Sequence, residues 1–429
     1  MVIMALGCVL GLVFFARPAT SDYEKRTLTT FPAITLETFL DGTFTSEVSL
    51  WYADTFPFRD QLVQASRNLQ NLYGVQPQTQ MVGGNVQADE LPPIDSSSSA
   101  SAASSDSTAS EPEKREHVEQ PEAQVMQEGI QDHIMQGLYV DGDRACSVYY
   151  FSEDAVRTYT DALNACADAL DGVATVYSVL IPNNSGALLD EDVLAQLGGT
   201  DQKQALDYFH SLMNEKVKVV ETYDALRAHR DEYIYFRTDH HWTQLGAYYA
   251  YQQLCEKAGM EASDISTWEH REYAPFLGSF YGELMLPAME ANPDTVHAYV
   301  PTGTNDMTYW DQYGTETKGH VIEDAEIYGD TGKYLCFIEG DQPLEKIENP
   351  TINDGSSCLV VKDSYGCAFV PLLVDNYQTV WVIDFRYYTD SSIPAFVRDH
   401  DVKDVVFMNN MTIAGTDTAA QGLLALSQE

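Results

Sequence analysis

The chain has 429 residues, enough for one large domain or two, and its hydrophobic fraction of 44% is ordinary for a chain that buries a core. Its formal net charge is −41. A polyanion of that size repels nucleic acid, which excludes nucleic-acid binding, and the acidity is spread along the chain as a solubilising surface.

In chain order, the first element is residues 2–16, an apolar run without a charge, followed by Arg17. Such a run at an N-terminus predicts a signal anchor or signal peptide within residues 1–16. It is shorter than the roughly 20 residues of a spanning helix, and no Ala-x-Ala cleavage site closes it. An uncleaved anchor is the favoured reading. It puts the rest of the chain on the extracytoplasmic face of the cell membrane, or outside the cell if the segment is cleaved.

Residues 23–82 form a second segment. Asp41-Gly42 marks a turn, and Phe44, Val48, Trp51, Tyr52 and Phe56 recur at helical spacing. An apolar stripe must be buried somewhere, so this segment is expected to pack on the domain that follows. Residues 83–122 read as a disordered linker. Residues 96–110 are almost all Ser, Ala, Asp and Thr, and 111–119 are mostly charged. Such a stretch cannot bury enough apolar surface to offset its ordering entropy.

From residue 123 to 429 helix and strand patterns alternate. A helix is predicted at 152–170 with Ser152 as N-cap, then a buried strand at 175–181 stopped by Pro182. A helix at 201–213, strands at 217–220 and 233–236, and a helix at 243–257 ended by Gly259 follow. Residues 287–355 are less regular and read as a β-rich insertion. Strands are then predicted at 358–361, 379–383 and 405–408, the first followed by a helix at 365–374 that Pro371 can kink. The alternation predicts a three-layer α/β domain with a mainly parallel sheet. The seven cysteines contain no Cys-x-x-Cys pair, which leaves a zinc ribbon or thioredoxin-like site unsupported, and most read as buried thiols.

In a parallel α/β sheet, function gathers at the carboxyl ends of the strands. Three such ends carry polar groups. In Thr238-Asp239-His240-His241-Trp242, Asp239 can accept a hydrogen bond from one nitrogen of His241 and aim the other at a nucleophile. The plainer alternative is a helix-proximal cap with packed histidines. The adjacent histidines point different ways and no HExxH spacing occurs, so no metal is expected. In Val360-Val361-Lys362-Asp363-Ser364-Tyr365-Gly366, a strand runs through a turn into a helix. Ser364 then sits at a helix N-terminus, where N–H groups favour negative charge; the alternative is an N-cap. The strand at 405–408 ends in Asn409 and Asn410, which can donate to an oxyanion or simply build a turn.

These strings resemble the DHHW family of Gram-positive bacteria, itself similar to the alginate O-acetylation proteins AlgJ and AlgX. The opening Tyr23-Glu24-Lys25-Arg26 and the string Asp54-Thr55-Phe56-Pro57-Phe58-Arg59-Asp60 add to the resemblance. It implies a circularly permuted SGNH-hydrolase-like domain, with Asp239 and His241 as the catalytic pair and Ser364 as the nucleophile. Asn409 or Asn410 then falls where such enzymes place an oxyanion Asn. The family's glycine-bearing block is absent after the strand at 379–383, where Asp384-Phe385-Arg386 stands. Arg386 can bind a substrate or acyl oxygen, or pair with Asp384. The expected activity is cofactor-free O-acetyl transfer to a cell-surface or secreted polysaccharide, and the resemblance implies a membrane-bound O-acyltransferase as acyl donor. A carbohydrate acetyl esterase and a catalytically silent envelope carbohydrate-binding or scaffold protein are the alternatives.

Overall fold

The structure, a computed structural model, describes residues 121–428, residues 79–94 except Asn85, and isolated positions between Thr20 and Phe56. The expected anchor at 1–16, most of the segment at 23–82 and the Ser/Ala tract at 96–110 lie outside the described residues. Among the described residues, no helix is long and apolar enough to cross a membrane. Where the N-terminal stripe is described, its rings meet one another and the preceding Phe31. Phe31 stands edge-on to Trp51 at 4.8 Å, and Tyr52 to Phe56 at 5.6 Å.

The elements used below are, in chain order, β1 (Thr79–Gly83), α1 (Ala123–Met135), β2 (Gly137–Asp141), β3 (Arg144–Ser147), α2 (Glu153–Ala169), β4 (Thr175–Ile181), α3 (Gln202–Leu212), β5 (Val217–Val220) and α4 (Gln244–Ala258). Then come β6 (Glu269–Phe276), β7 (Asp294–Val300), β8 (Asp306–Trp310), β9 (Glu316–His320), β10 (Leu344–Glu348) and β11 (Ser357–Lys362). The last are α5 (Gly366–Leu373), β12 (Thr379–Asp384), α6 (Ile393–Asp399), β13 (Asp404–Asn410) and α7 (Asp417–Ser427).

Eight strands form one sheet in the order β9-β8-β10-β12-β11-β13-β4-β5. The five from β12 to β5 are parallel, and β10, β8 and β9 extend the sheet antiparallel. Part of the β-rich stretch at 287–355 is therefore an edge of the main sheet, while β6 and β7 pair separately as a two-stranded ribbon. Successive residues of a strand point to opposite faces. All six residues of β11, and all but the first of β4 and of β13, are buried, so both faces of the sheet are covered. One helix group comprises α2 with α3, α7 and α6; the other joins α4 to α5. Each fully buried Val, Leu or Phe in this core contributes about 1.5–3 kcal/mol.

Several predicted boundaries hold to within a residue or two. Ser152 caps α2, and Gly259 ends α4 in the left-handed region at φ 71°. Two segments differ. Residues 233–236 have no neighbouring strand; they close into a loop through the bridge Tyr235–Trp242. The bonds Phe236 N–H to His241 O (3.2 Å) and Thr243 N–H to Ile234 O (3.0 Å) seal that loop. The start of the expected linker is docked. Gly83 pairs with Gly137, and Asp89 bonds the backbone on both sides of Ser152.

The loop at 237–241 is held from below by Asp294, the first residue of β7. Its buried carboxylate accepts from Thr238 N–H and Oγ1 (both 2.7 Å), Arg237 N–H (3.0 Å) and Tyr233 Oη (2.6 Å). Removing one partner of a buried charged network leaves the others uncompensated. Asp294→Ala is expected to cost roughly 3–5 kcal/mol, measured by urea denaturation; a loss under about 1 kcal/mol contradicts this role.

Candidate active site

Chain order and space differ in this sheet. Counted from β11, the parallel strands lie in the order 2-1-3-4-5, with β12 on one side of β11 and β13 on the other. The chain reverses direction across the sheet there, which opens a crevice at the carboxyl ends of β11 and β13. Ser364 leaves β11 at this point.

The turn that presents Ser364 is fixed by its neighbour. Asp363 accepts Tyr365 N–H at 2.9 Å through one oxygen, and through the other Asn410 N–H at 2.9 Å and the Asn409 amide at 3.3 Å. Burial pushes the Asp363 carboxyl up to about 6, against the lowering effect of Arg386 and these N–H donors. Gly366 N–H donates to Asp363 O at 2.9 Å and Cys367 N–H to Ser364 O at 3.2 Å, starting α5 directly behind the serine.

The loop at 237–241 meets this turn. Trp242 Nε1 donates to Tyr365 O at 2.9 Å, and the Tyr365 hydroxyl donates to His240 O. Thr243 Oγ1 accepts Gly246 N–H and so starts α4 immediately after Trp242. Between the two segments stands His241. Its Nδ1 lies 2.6 Å from Asp239 Oδ1 and its Nε2 lies 2.7 Å from Ser364 Oγ. A nitrogen facing a carboxylate carries the proton in neutral imidazole, which leaves Nε2 as the acceptor toward the serine hydroxyl. Asp239 Oδ1 also accepts His241 N–H at 2.9 Å, and its Oδ2 accepts Ser279 N–H at 2.8 Å. Burial works to raise the Asp239 pKa, but the charges of His241 and His240 and the bonds from His241 outweigh it and hold the carboxyl well below its usual range. A hydroxyl on such a chain can lose its proton to the imidazole as it attacks an ester carbonyl.

Asp239, His241 and Ser364 are thus brought together in one hydrogen-bonded line. The other predicted residues lie elsewhere. Asn409 and Asn410 are fully buried and turned inward. Asn409 accepts from Tyr159 Oη at 3.0 Å, while Asn410 donates to Ile181 O and accepts Thr412 N–H. Their contact with the site runs through Asp363. Arg386 is also buried, and of its two readings the structure takes the ion pair: Nε donates to Asp384 at 2.8 Å, and the guanidinium meets Asp341 at 2.9 Å. Lys362 shares both carboxylates, at 3.0 Å and 2.7 Å. Lys362, Arg386 and Asp384 are buried there and Asp341 is half-buried; such charges require each other, which leaves the Arg386 guanidinium engaged in ion pairs.

Three contributors had no sequence signal. Tyr334 stacks on the His241 ring at 4.0 Å, 11° from parallel, and its hydroxyl donates to Ser364 O at 3.0 Å. Ser279 bonds both Asp239 and His240, the latter through Oγ at 2.7 Å. Gly278 packs so closely on Asp239 that an added Cβ would meet its carboxylate at 2.2 Å. The donor atoms of Asp239, His240 and His241 are close enough together to share a cation, but these hydrogen bonds already use them.

Burial, and after it the charge of His241, pushes His240 down to about 3 from its ordinary 6.5. The unfolded chain takes up this proton near pH 6.5 and the folded chain only near 3. The residue therefore adds stability above pH 6.5 that is lost as the pH falls toward 3. His240→Gln is expected to flatten the decline of Tm between pH 6.5 and about 4. An unchanged slope in thermal melts contradicts the assignment.

A family model described as DHHW protein matches residues 24–102 and 113–383. Among solved structures, a DHHW family protein from Eubacterium siraeum is 28% identical, with a TM-score of 0.60 over 67% of this chain and 94% of that one. PatB1 of Bacillus cereus is 22% identical, with a TM-score of 0.57 over 66% of this chain and 98% of that one. A second PatB1 structure, with a sulfonyl adduct, is 20% identical, with a TM-score of 0.53 over 64% and 94%. No curated protein matches the chain.

Proposed function

The chain belongs to the DHHW protein family, and from that premise we propose that it is a serine-dependent O-acetyltransferase acting on a cell-surface or secreted polysaccharide. The observation that carries this reading is the line Asp239–His241–Ser364, with bonds of 2.6 Å and 2.7 Å meeting on one imidazole.

His241 Nε2 takes the proton as Ser364 Oγ attacks an acetyl ester, and Asp239 stabilises the imidazolium. The tetrahedral intermediate collapses with transfer of that proton to the leaving alcohol, which leaves acetyl on Ser364. A sugar hydroxyl then attacks, with His241 as base, and Ser364 is regenerated. Tyr365 N–H is engaged by Asp363. Among the described residues no acceptor lies on the Ser364 backbone N–H, which makes it the candidate oxyanion donor. The cyclic order of the strands, with the Asp-x-His loop preceding the serine strand in the chain, supports a circularly permuted SGNH-like domain. An N-terminal anchor would keep the site at the external surface of the cytoplasmic membrane, within reach of a membrane-bound O-acyltransferase as acetyl donor.

Ser364→Ala is expected to lower acetyl release from an acetylated oligosaccharide by roughly 10⁴-fold or more, and to abolish labelling by a serine-directed fluorophosphonate. His241→Ala should behave alike, because such residues act as a unit, while His240→Ala should be milder. Unchanged turnover in Ser364→Ala overturns the nucleophile. Release to water unaffected by an oligosaccharide acceptor makes the enzyme an esterase.

A further inference from the structure

The β6–β7 ribbon carries a second cluster of titratable side chains. On this antiparallel pair Glu272 lies directly opposite His297, and His270 opposite Tyr299. Directly opposed residues, and residues two apart on one strand, share a face. His270, Glu272, His297 and Tyr299 therefore stand together on one face of the ribbon. The alternate residues Val296, Ala298 and Val300 of β7 and Tyr273 of β6 are buried in the core and hold the ribbon down.

On the outward face His270 Nε2 and His297 Nδ1 share a hydrogen bond of 3.0 Å, made among the described residues only to each other and replaceable by an ion between them, and Glu272 Oε1 lies 3.6 Å from that same Nδ1. One donor atom from each of the three residues falls within 4.8 Å of the others. Ligand atoms bound at about 2.0–2.1 Å in a tetrahedral zinc site are roughly 3.3 Å apart, and the two separations at His297 Nδ1, 3.0 Å and 3.6 Å, lie on either side of that value. The rings are held ready. His270 stacks on Tyr299 at 4.6 Å and 12°, and Tyr233 stands edge-on to His297 at 6.0 Å. Two imidazoles and a carboxylate are a donor set suited to a borderline cation and poor for Ca²⁺ or Mg²⁺, which take oxygen ligands.

We propose that His270, Glu272 and His297 bind a divalent transition-metal ion of the Zn²⁺ class, with a fourth position open to water. The site uses no group of the Asp239–His241–Ser364 line. It lies on the ribbon whose β7 begins at Asp294, the residue that clamps Thr238, so an ion there would brace the support of the 237–241 loop.

The test is calorimetric titration of the chelator-treated full chain with Zn²⁺ alone, joined to the visible absorption of its Co²⁺ form. One equivalent should bind, with the intense bands of tetrahedral cobalt, and saturating Zn²⁺ should raise Tm. His297→Ala should weaken binding about 100-fold or more and remove the rise in Tm. Glu272→Gln, at an exposed position where folding is not at stake, should weaken binding as well. His320→Ala removes the histidine of the other exposed cluster, formed with Glu323 and Glu339, and should leave the affinity unchanged. Absence of one-to-one binding overturns the proposal. So does binding that survives the double variant His270→Ala/His297→Ala, or that is lost in His320→Ala.

Discussion

One imidazole joins two parts of the chain that lie 123 residues apart: His241 reaches Asp239 on one side and Ser364 on the other. Hydrogen bonds tolerate only a few tenths of an ångström before they weaken. Both segments must therefore be held to that tolerance, and much of the surrounding structure does so. Trp242 and Tyr365 bond across the gap in both directions, Tyr334 covers the ring and fixes Ser364 O, and Asp294 holds the loop from beneath. The position at the reversal point of the sheet follows from strand order, since only there do two neighbouring parallel strands send their chains to opposite sides.

The electrostatics are layered around this bond. Asp239 stays ionised although buried, because the charges of His241 and His240 and the hydrogen bonds from His241 outweigh the effect of burial. Its charge then fixes the tautomer of His241, which decides that Nε2 is a base toward Ser364. One strand over, Lys362 and Arg386 neutralise Asp341 and Asp384 at the carboxyl end of β11. Burial opposes the charge on Lys362, and Asp341 and Asp384 outweigh it. These four charges are thus paired among themselves, while Asp239 is the carboxylate hydrogen-bonded to the imidazole.

The elements most legible in the sequence were those fixed by local pattern. Residues 175–181 are mostly apolar, rich in Val and Ile, and closed by Pro182, and β4 has those bounds. Ser364 could be placed at a strand-to-helix turn because Leu359-Val360-Val361 leads into Asp-Ser-Tyr-Gly. Residues 233–236 have the composition of a strand but pair with no strand, their backbone closing on residues 241–243 instead; composition cannot report a missing neighbour. Asn409, Asn410 and Arg386 were located correctly at strand ends, yet what each side chain bonds depends on Asp363, Asp341 and Gln127, which are distant or fall in irregular segments. Tyr334, Gly278 and Ser279 act across long chain separations from non-periodic stretches, where a single sequence carries no signal.

The account rests on Ser364 carrying the acyl group, and that can be observed directly. The purified chain would be exposed briefly to an activated acetyl ester, quenched in acid and mapped by peptide mass spectrometry. One acetyl group on the peptide containing Ser364, removed on further incubation with an oligosaccharide acceptor and absent in the His241→Ala variant, is the predicted result. Turnover of the ester with acetyl on another residue, or with no acetyl on Ser364 at any time of quenching, would contradict the account.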